Sequence, residues 1–276
     1  MEDRGFSWKG RVKMRIYVCV KNVPDTAESI ALTGTAAFDE SVKFVLNPYD
    51  EYGLEAALQI VEKQGEGEVI TVTVGKEAAT KTIRTALAIG AHRGILVKTD
   101  VQFLDSGLTA LALQKAIELD GSPDLIFTGK ESVDSEGLQT PYRLAAALKM
   151  PVINDVAALN ITDDGAVVER EIEGGAREVI RLSMPCVIGG TKGMNEPRQP
   201  TLPAILRAKK KEIKQIDIHE LNLALEKAKT TLVKLDPVPE RSKANLKMIE
   251  GDPQTMAEAL VQLLQEEKLL NGVGGE

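Results

Sequence analysis

The chain is poor in the residues on which most catalytic and metal sites are built. Its 276 residues include two cysteines, Cys19 and Cys186, and two histidines, His92 and His219. None of the four lies close enough in sequence to another to form a local ligand pair, so a zinc centre has no support. A Ser–His triad would need one of these histidines, and neither stands in a nucleophile-elbow context. A Cys19–Cys186 disulfide is one option and two reduced thiols the other. A chain this long buries a core without a staple, which favours the thiols and a cytoplasmic setting. Aromatic residues make up 4% of the chain, with Trp8 the single tryptophan, which argues against a base-stacking or carbohydrate platform. Positive charge is in deficit: 34 Lys plus Arg against 41 Asp plus Glu, net −7, provides no general field for nucleic acid. No apolar run approaches a membrane span and no signal-peptide core is present, so no membrane insertion is expected.

What is present is the composition of a folded protein, 43% apolar and 27% charged. Met1–Lys13 is polar, carries Gly5 and Gly10 and shows no periodicity. It is expected to be a disordered leader ahead of a domain starting at Met14. From there strand-like and helix-like segments alternate. Ile16–Val20, Val69–Val74, Ile95–Val97 and Leu125–Phe127 are continuous apolar runs, the mark of strands buried on both faces. Between them Leu54, Ala57, Leu58 and Val61 make a helical stripe; Ile83, Ala86 and Leu87 make a second, and Leu108, Leu111, Ala112 and Leu119 a third. Such alternation predicts βαβ units and a parallel sheet, an α/β doubly wound fold. Beyond Pro151, turn signals at Asp163–Gly165 and Gly174–Gly175 separate β-rich runs and predict antiparallel strands added to that sheet. Asn195–Pro203, with three prolines, reads as an exposed, stiffened loop. The last stripe, Met256, Leu260, Leu263 and Leu264, suits a tail that packs either on a partner or on its own domain.

In a doubly wound sheet, ligands bind beyond the carboxyl ends of the strands. Four segments occupy such places. Lys21–Asp25 follows the first strand. Asn47-Pro48-Tyr49-Asp50-Glu51 is explained by helix initiation, with an N-cap, a proline and two acids at the positive end of the dipole, except for Tyr49. Val74-Gly75 lets a backbone approach closely after the second apolar run. Gly129 to Thr140, namely Lys130, Glu131, Ser132, Val133, Asp134, Ser135, Glu136, Gly137, Leu138 and Gln139 between its ends, is a polar loop feeding a helix N-terminus at Thr140-Pro141. Such a loop suits an anion, although its carboxylates would repel a phosphate and should meet hydroxyls, amides or solvent. There is neither a Walker loop nor a G-x-G-x-x-G. On these residues alone a nucleotide-like ligand and a plain loop both stand. The basic run Arg207, Lys209, Lys210, Lys211 and Lys214 reads as a solvated face, or as a feature that steers an acidic partner.

Taken in order, Cys19–Asp25, Asn47–Asp50, Thr82–Ala91, Gly129–Thr140, Val168–Gly175 and Asn195–Arg198 resemble the beta-subunit family of electron-transfer flavoproteins, from about Met14 to the final helix. The resemblance implies an adenine-nucleotide-binding, Rossmann-like sheet in residues 14–212, including a docking loop at 198–207. It also implies a C-terminal arm, 213–276, packing on an alpha subunit that holds most of a shared FAD. By position it puts AMP against Cys19, Asn47, Pro48, Tyr49, Asp50, Val74 and Gly129 through Thr140, with Tyr49 near the flavin. Glu171 matches a glutamate that pairs with the alpha subunit, and Arg198 and Leu202 fall in the docking loop for acyl-CoA dehydrogenases, with Leu202 the apolar anchor. The implied role is an electron carrier, not an enzyme, that passes electrons toward a membrane quinone oxidoreductase. Val23-Pro24-Asp25 and Asn47–Asp50 are more similar to an electron-bifurcating branch, which uses NADH and holds a second FAD in place of AMP. Asp134 to Thr140 departs from that branch's Asp-Gly-Asp-Thr-Ala-Gln-Val, and Asn195–Arg198 with the basic run is similar to the AMP-carrying branch. AMP is therefore the expected nucleotide, and a second FAD the alternative.

Overall fold

The computed structural model describes residues 13–224, 228–238 and 248–270. The leader expected at 1–13 lies, but for Lys13, outside the described residues, as does Trp8. In chain order the elements are β1 (Met14–Cys19), β2 (Asn22–Pro24), β3 (Leu32–Thr33), β4 (Ala37–Phe38), β5 (Phe44–Leu46), α1 (Pro48–Gln64), β6 (Gly67–Gly75), α2 (Thr80–Ile89), β7 (Arg93–Lys98), α3 (Ser106–Asp120), β8 (Leu125–Gly129), α4 (Thr140–Leu148), β9 (Val152–Thr162), β10 (Gly165–Glu171), β11 (Arg177–Leu182), β12 (Cys186–Gly190), α5 (Leu202–Ala208), β13 (Ile213–Asp217) and α6 (Pro253–Glu266).

Nine strands form one sheet in the order β11-β10-β9-β12-β8-β1-β6-β7-β13. The seven from β9 to β13 run parallel, and β10 and β11 are antiparallel additions at one edge. Each apolar run is buried twice over. In β1, Ile16 and Val18 join a core with Leu54, Leu58, Ile83 and Leu87 of α1 and α2, while Tyr17 and Cys19 join one with Leu113, Ile117 and Leu144 of α3 and α4. Each such side chain contributes about 1.5–3 kcal/mol on burial, so the two-sided runs hold the layers together.

Some expectations shift. The buried face of α3 is Leu108, Ala112, Leu113, Ala116 and Ile117, whereas Leu111 and Leu119 are exposed. Alanines around α3 blur its stripe, and the sheet selects the face. The run after Pro185 is not an antiparallel addition: β12 lies inside the parallel core, between β8 and β9. Pro203 does not end a loop but stands in the first turn of α5. Ile213–Asp217, placed by the sequence at the root of an arm, pairs with β7 as the outer strand of the sheet. One compact unit runs to Leu235, and residues from Asp236 form a second, whose described element is the helix α6.

Candidate functional site

The chain goes from β1 to β6 and β7 on one side and returns to β8 on the other, so the crevice between β1 and β8 is the topological switch point. Asp50, in the first turn of α1, closes it. Its carboxylate accepts from Lys21 N after β1 (2.7 Å), from Gly129 N at the end of β8 (2.9 Å) and from its neighbour Asn47 Nδ2 (2.8 Å). Burial pushes the Asp50 carboxyl up to about 7, against the pull of these donors and of the Lys21 charge. Gly129 leaves no room for a side chain: a Cβ would lie 2.4 Å from Asp50 Oδ1 and 2.7 Å from Tyr49 Cβ. Helix initiation thus does not account for Asn47 and Asp50. Asn47 makes no side-chain cap; its amide donates to Glu131 O (2.8 Å) and accepts from Val133 N (3.2 Å), tying down the loop after β8.

That loop crosses the crevice. Lys21 Nζ reaches Asp134 at 2.7 Å and Ser132 Oγ at 3.1 Å, so the Asp134 carboxylate meets a cation of its own chain. Lys130 Nζ sits 5.1 Å from the Tyr49 ring centroid and 3.7 Å from both Glu131 and Asp155 carboxylates. Asp155 is held left-handed (φ 63°) where the register of β9 slips, and buried Asn154 donates to Lys130 O at 3.0 Å. Beyond Ser135 the loop is exposed. Glu136 (φ 46°) and Leu138 (φ 55°) are left-handed, and the amides of Gly137, Leu138 and Gln139 make no hydrogen bond among the described residues. Successive unpaired amides in such a conformation form a concavity suited to an anion, at the mouth of α4. The α4 boundary stands one residue earlier than expected, with Gln139 as N-cap and Pro141 in the first turn.

Cys19 ends β1 and is buried in the core on the α3 and α4 side, against which Val74 of β6 packs. Cys19 is buried and unpaired with Cys186, so neither cysteine forms a disulfide. Burial raises the Cys19 thiol far above its ordinary value, and the Asp50 charge adds to this, so it is inert as a nucleophile. Among the described residues no cluster of three His, Cys, Asp or Glu could hold a metal, and no helix is long and apolar enough to cross a membrane.

A family model described as the electron transfer flavoprotein domain matches residues 35–221. The chain is 35% identical over 256 residues to the electron transfer flavoprotein subunit beta of Bacillus subtilis (strain 168), covering 92% of this chain and 98% of the relative. It is likewise 35% identical to the subunit of that name from Syntrophomonas wolfei over 236 residues, 83% of this chain and 92% of the relative. With the human subunit the figures are 35% over 235 residues, 83% and 91%. This chain belongs to the electron transfer flavoprotein beta-subunit family.

The other residues expected to act in this beta-subunit chain lie away from the crevice. Leu202 is 70% exposed at the start of α5, and Ile205 and Leu206 share its exposed character. Arg198 does not project outward: its guanidinium binds Glu55 Oε2 at 2.8 Å and also Glu62, both on α1. Burial raises the Glu55 carboxyl, but Arg198 and Gln59 bring it net below its ordinary range. Arg198 is thus a strut between the 195–201 segment and α1. Glu171, exposed at the end of β10, pairs with Arg177 of β11 at 3.2 Å. In the basic run, Arg207, Lys209, Lys210 and Lys214 face solvent. Lys211 turns inward and donates to the carbonyls of Leu87 (2.9 Å) and Ala91 at the end of α2. Sequence reasoning placed Lys21 in a segment at the ligand end of the sheet without giving it a partner, and did not single out Asn154. A lysine directly after the first strand and an asparagine inside a β-run were the available signals.

Proposed function

We propose that this chain is the beta subunit of a heterodimeric electron-transfer flavoprotein in the cytoplasm, and that its crevice holds AMP. The observation that carries the nucleotide assignment is the row of amides at Gly137–Gln139 that make no hydrogen bond among the described residues, set beside a crevice closed by Asp50. Two strained left-handed residues cost roughly 1–3 kcal/mol each and are retained where a ligand uses the conformation. The residues fit an adenine nucleotide: the amides and the α4 dipole would hold the phosphate. Lys21 takes up the charge of Asp134, which would otherwise face a phosphate. Cys19, Val74 and the ring of Tyr49 supply the apolar wall for a base.

A flavin shared with an alpha subunit supplies the electron-carrying chemistry when bound. This chain's own residues perform no bond-making step. Asp50, Asn47 and Asn154 fix the backbone around the crevice, Tyr49 adds a wall at its rim, and Glu171 offers a carboxylate to an alpha-subunit arginine. Residues from 236 on are proposed to pack on the alpha subunit. The exposed apolar start of α5 is proposed to dock acyl-CoA dehydrogenases, with Leu202 as anchor, before electrons pass to a membrane quinone oxidoreductase. One buried side chain dominating a small transient interface fits hot-spot behaviour.

Denaturing the purified complex and quantifying the released nucleotides tests the reading. One FAD and one AMP per heterodimer is the expected result. Two FAD and no AMP would replace it with the bifurcating, NADH-using form. No flavin in a homodimer would overturn both.

A further inference from the structure

The loop's last residue is linked to a second part of the chain that the function above does not use. Residues 228–235 run across the body as a strap pinned at two points. Thr230 donates its amide (3.0 Å) and its hydroxyl to Asp105 Oδ2, and Leu235 N donates to Thr35 O at 2.9 Å. Asp105 spends its other oxygen on the α3 N-terminus, accepting from Gly107 N (2.8 Å) and Leu108 N (3.0 Å). The next residue, Ser106, donates to Gln139 Oε1 at 3.2 Å, and the same oxygen accepts from Arg143 Nε at 2.7 Å. Gln139 also carries one of the three unpaired amides. Two hydrogen-bonded contacts, Gln139–Ser106 and Asp105–Thr230, therefore link that segment to the strap through the peptide bond between Asp105 and Ser106.

We infer that Asp105 and Gln139 are positioning residues that couple the two, so that the Thr230–Asp105 clasp closes more firmly when the amides of Gly137–Gln139 hold a phosphate. The inference rests on the nucleotide reading above. Its physical basis is that a ligand fixing the Gln139 backbone also fixes the side chain that orients Ser106, and with it the α3 mouth where Asp105 grips the strap. Such coupling is reciprocal: the factor by which nucleotide tightens the clasp bounds the factor by which opening the clasp weakens nucleotide binding.

The test uses the full-length chain with its partner subunit, stripped of nucleotide, with AMP as the probe. Amide hydrogen exchange is read at Thr230 and Leu235 with and without saturating AMP, and AMP affinity is measured by calorimetry. Saturating AMP is expected to slow exchange at Thr230 about fivefold. Thr230→Val should weaken AMP by no more than that factor, Thr230→Ser should restore it, and Gln139→Ala should abolish the AMP effect on Thr230 exchange. If AMP binds the wild type but leaves Thr230 exchange unchanged, the coupling is wrong and the nucleotide reading stands. If AMP does not bind, the nucleotide reading falls and the coupling with it. Should Thr230→Val fail to fold, the wild-type exchange and Gln139→Ala decide.

Discussion

Asp50 shows how one carboxylate holds a crevice together. Its three donors come from itself plus 79 positions, itself minus 29 and its near neighbour Asn47. Removing it leaves the amides of Lys21 and Gly129 without their partner and Asn47 Nδ2 with Glu131 O alone, and each orphan costs about 1–3 kcal/mol. Asp50→Ala is expected to lower stability in urea titration by about 3 kcal/mol or more, an upper-range loss for one substitution. Gly129→Ala should lose about 1–3 kcal/mol, because the added methyl meets Asp50 and Tyr49 and neither can withdraw. His92 makes a titration prediction. Its Nδ1 accepts from Val69 N at 3.0 Å, which requires the neutral ring. Burial, then the Lys211 charge, lowers its proton affinity below the ordinary value of 6.5. The unfolded chain therefore takes up a proton before the folded one does. Stability should be full above pH 6.5 and fall as the pH drops below it, down to the folded value. His92→Asn keeps an acceptor that does not titrate, so the pH dependence of its melting temperature should be flatter across that window.

At the scale of elements, the parallel core was legible because burial on both faces writes itself into sequence as unbroken apolar runs. The strands β1, β6, β7 and β8 all carry that mark. What was not legible depended on distant partners. Arg198 looks like any surface arginine until α1 brings Glu55 and Glu62 against it, 143 and 136 positions away. Asn47 and Asp50 matched the local pattern of a helix start, which masked their bonds to the loop after β8. Lys211 differs from Lys209 and Lys210 only in the carbonyls it meets at the end of α2. Lys211→Ala should therefore cost about 1–2 kcal/mol in chemical denaturation, whereas Lys209→Ala and Lys210→Ala should stay within about 0.5 kcal/mol of wild type. The α5 start offers the opposite contrast. Leu202→Ala should leave the melting temperature and flavin content unchanged and slow reduction by an acyl-CoA dehydrogenase. Loss of flavin instead would show that Leu202 supports the fold or the cofactor site.

For the molecule as a whole, the scarcity of histidine, cysteine and aromatic side chains accords with the role proposed above, a subunit that frames cofactors and makes no covalent bonds. A nucleotide that binds only the folded state adds about 2.7 kcal/mol at a hundredfold excess over its Kd. The melting temperature of a nucleotide-stripped sample should therefore rise with added AMP and be restored to that of the complex as purified.

The sheet order has a consequence for how the chain is made. Strand β1 sits in the middle of the sheet, yet its two neighbours, β6 and β8, begin at Gly67 and Leu125. During synthesis β1 emerges first and waits through more than a hundred residues for its second flank. At about 5–20 residues per second that is roughly 6–20 s on the ribosome. Throughout that interval Ile16-Tyr17-Val18-Cys19-Val20 is an apolar β-former with at least one bare edge, a segment suited to chaperone capture and, without it, to aggregation.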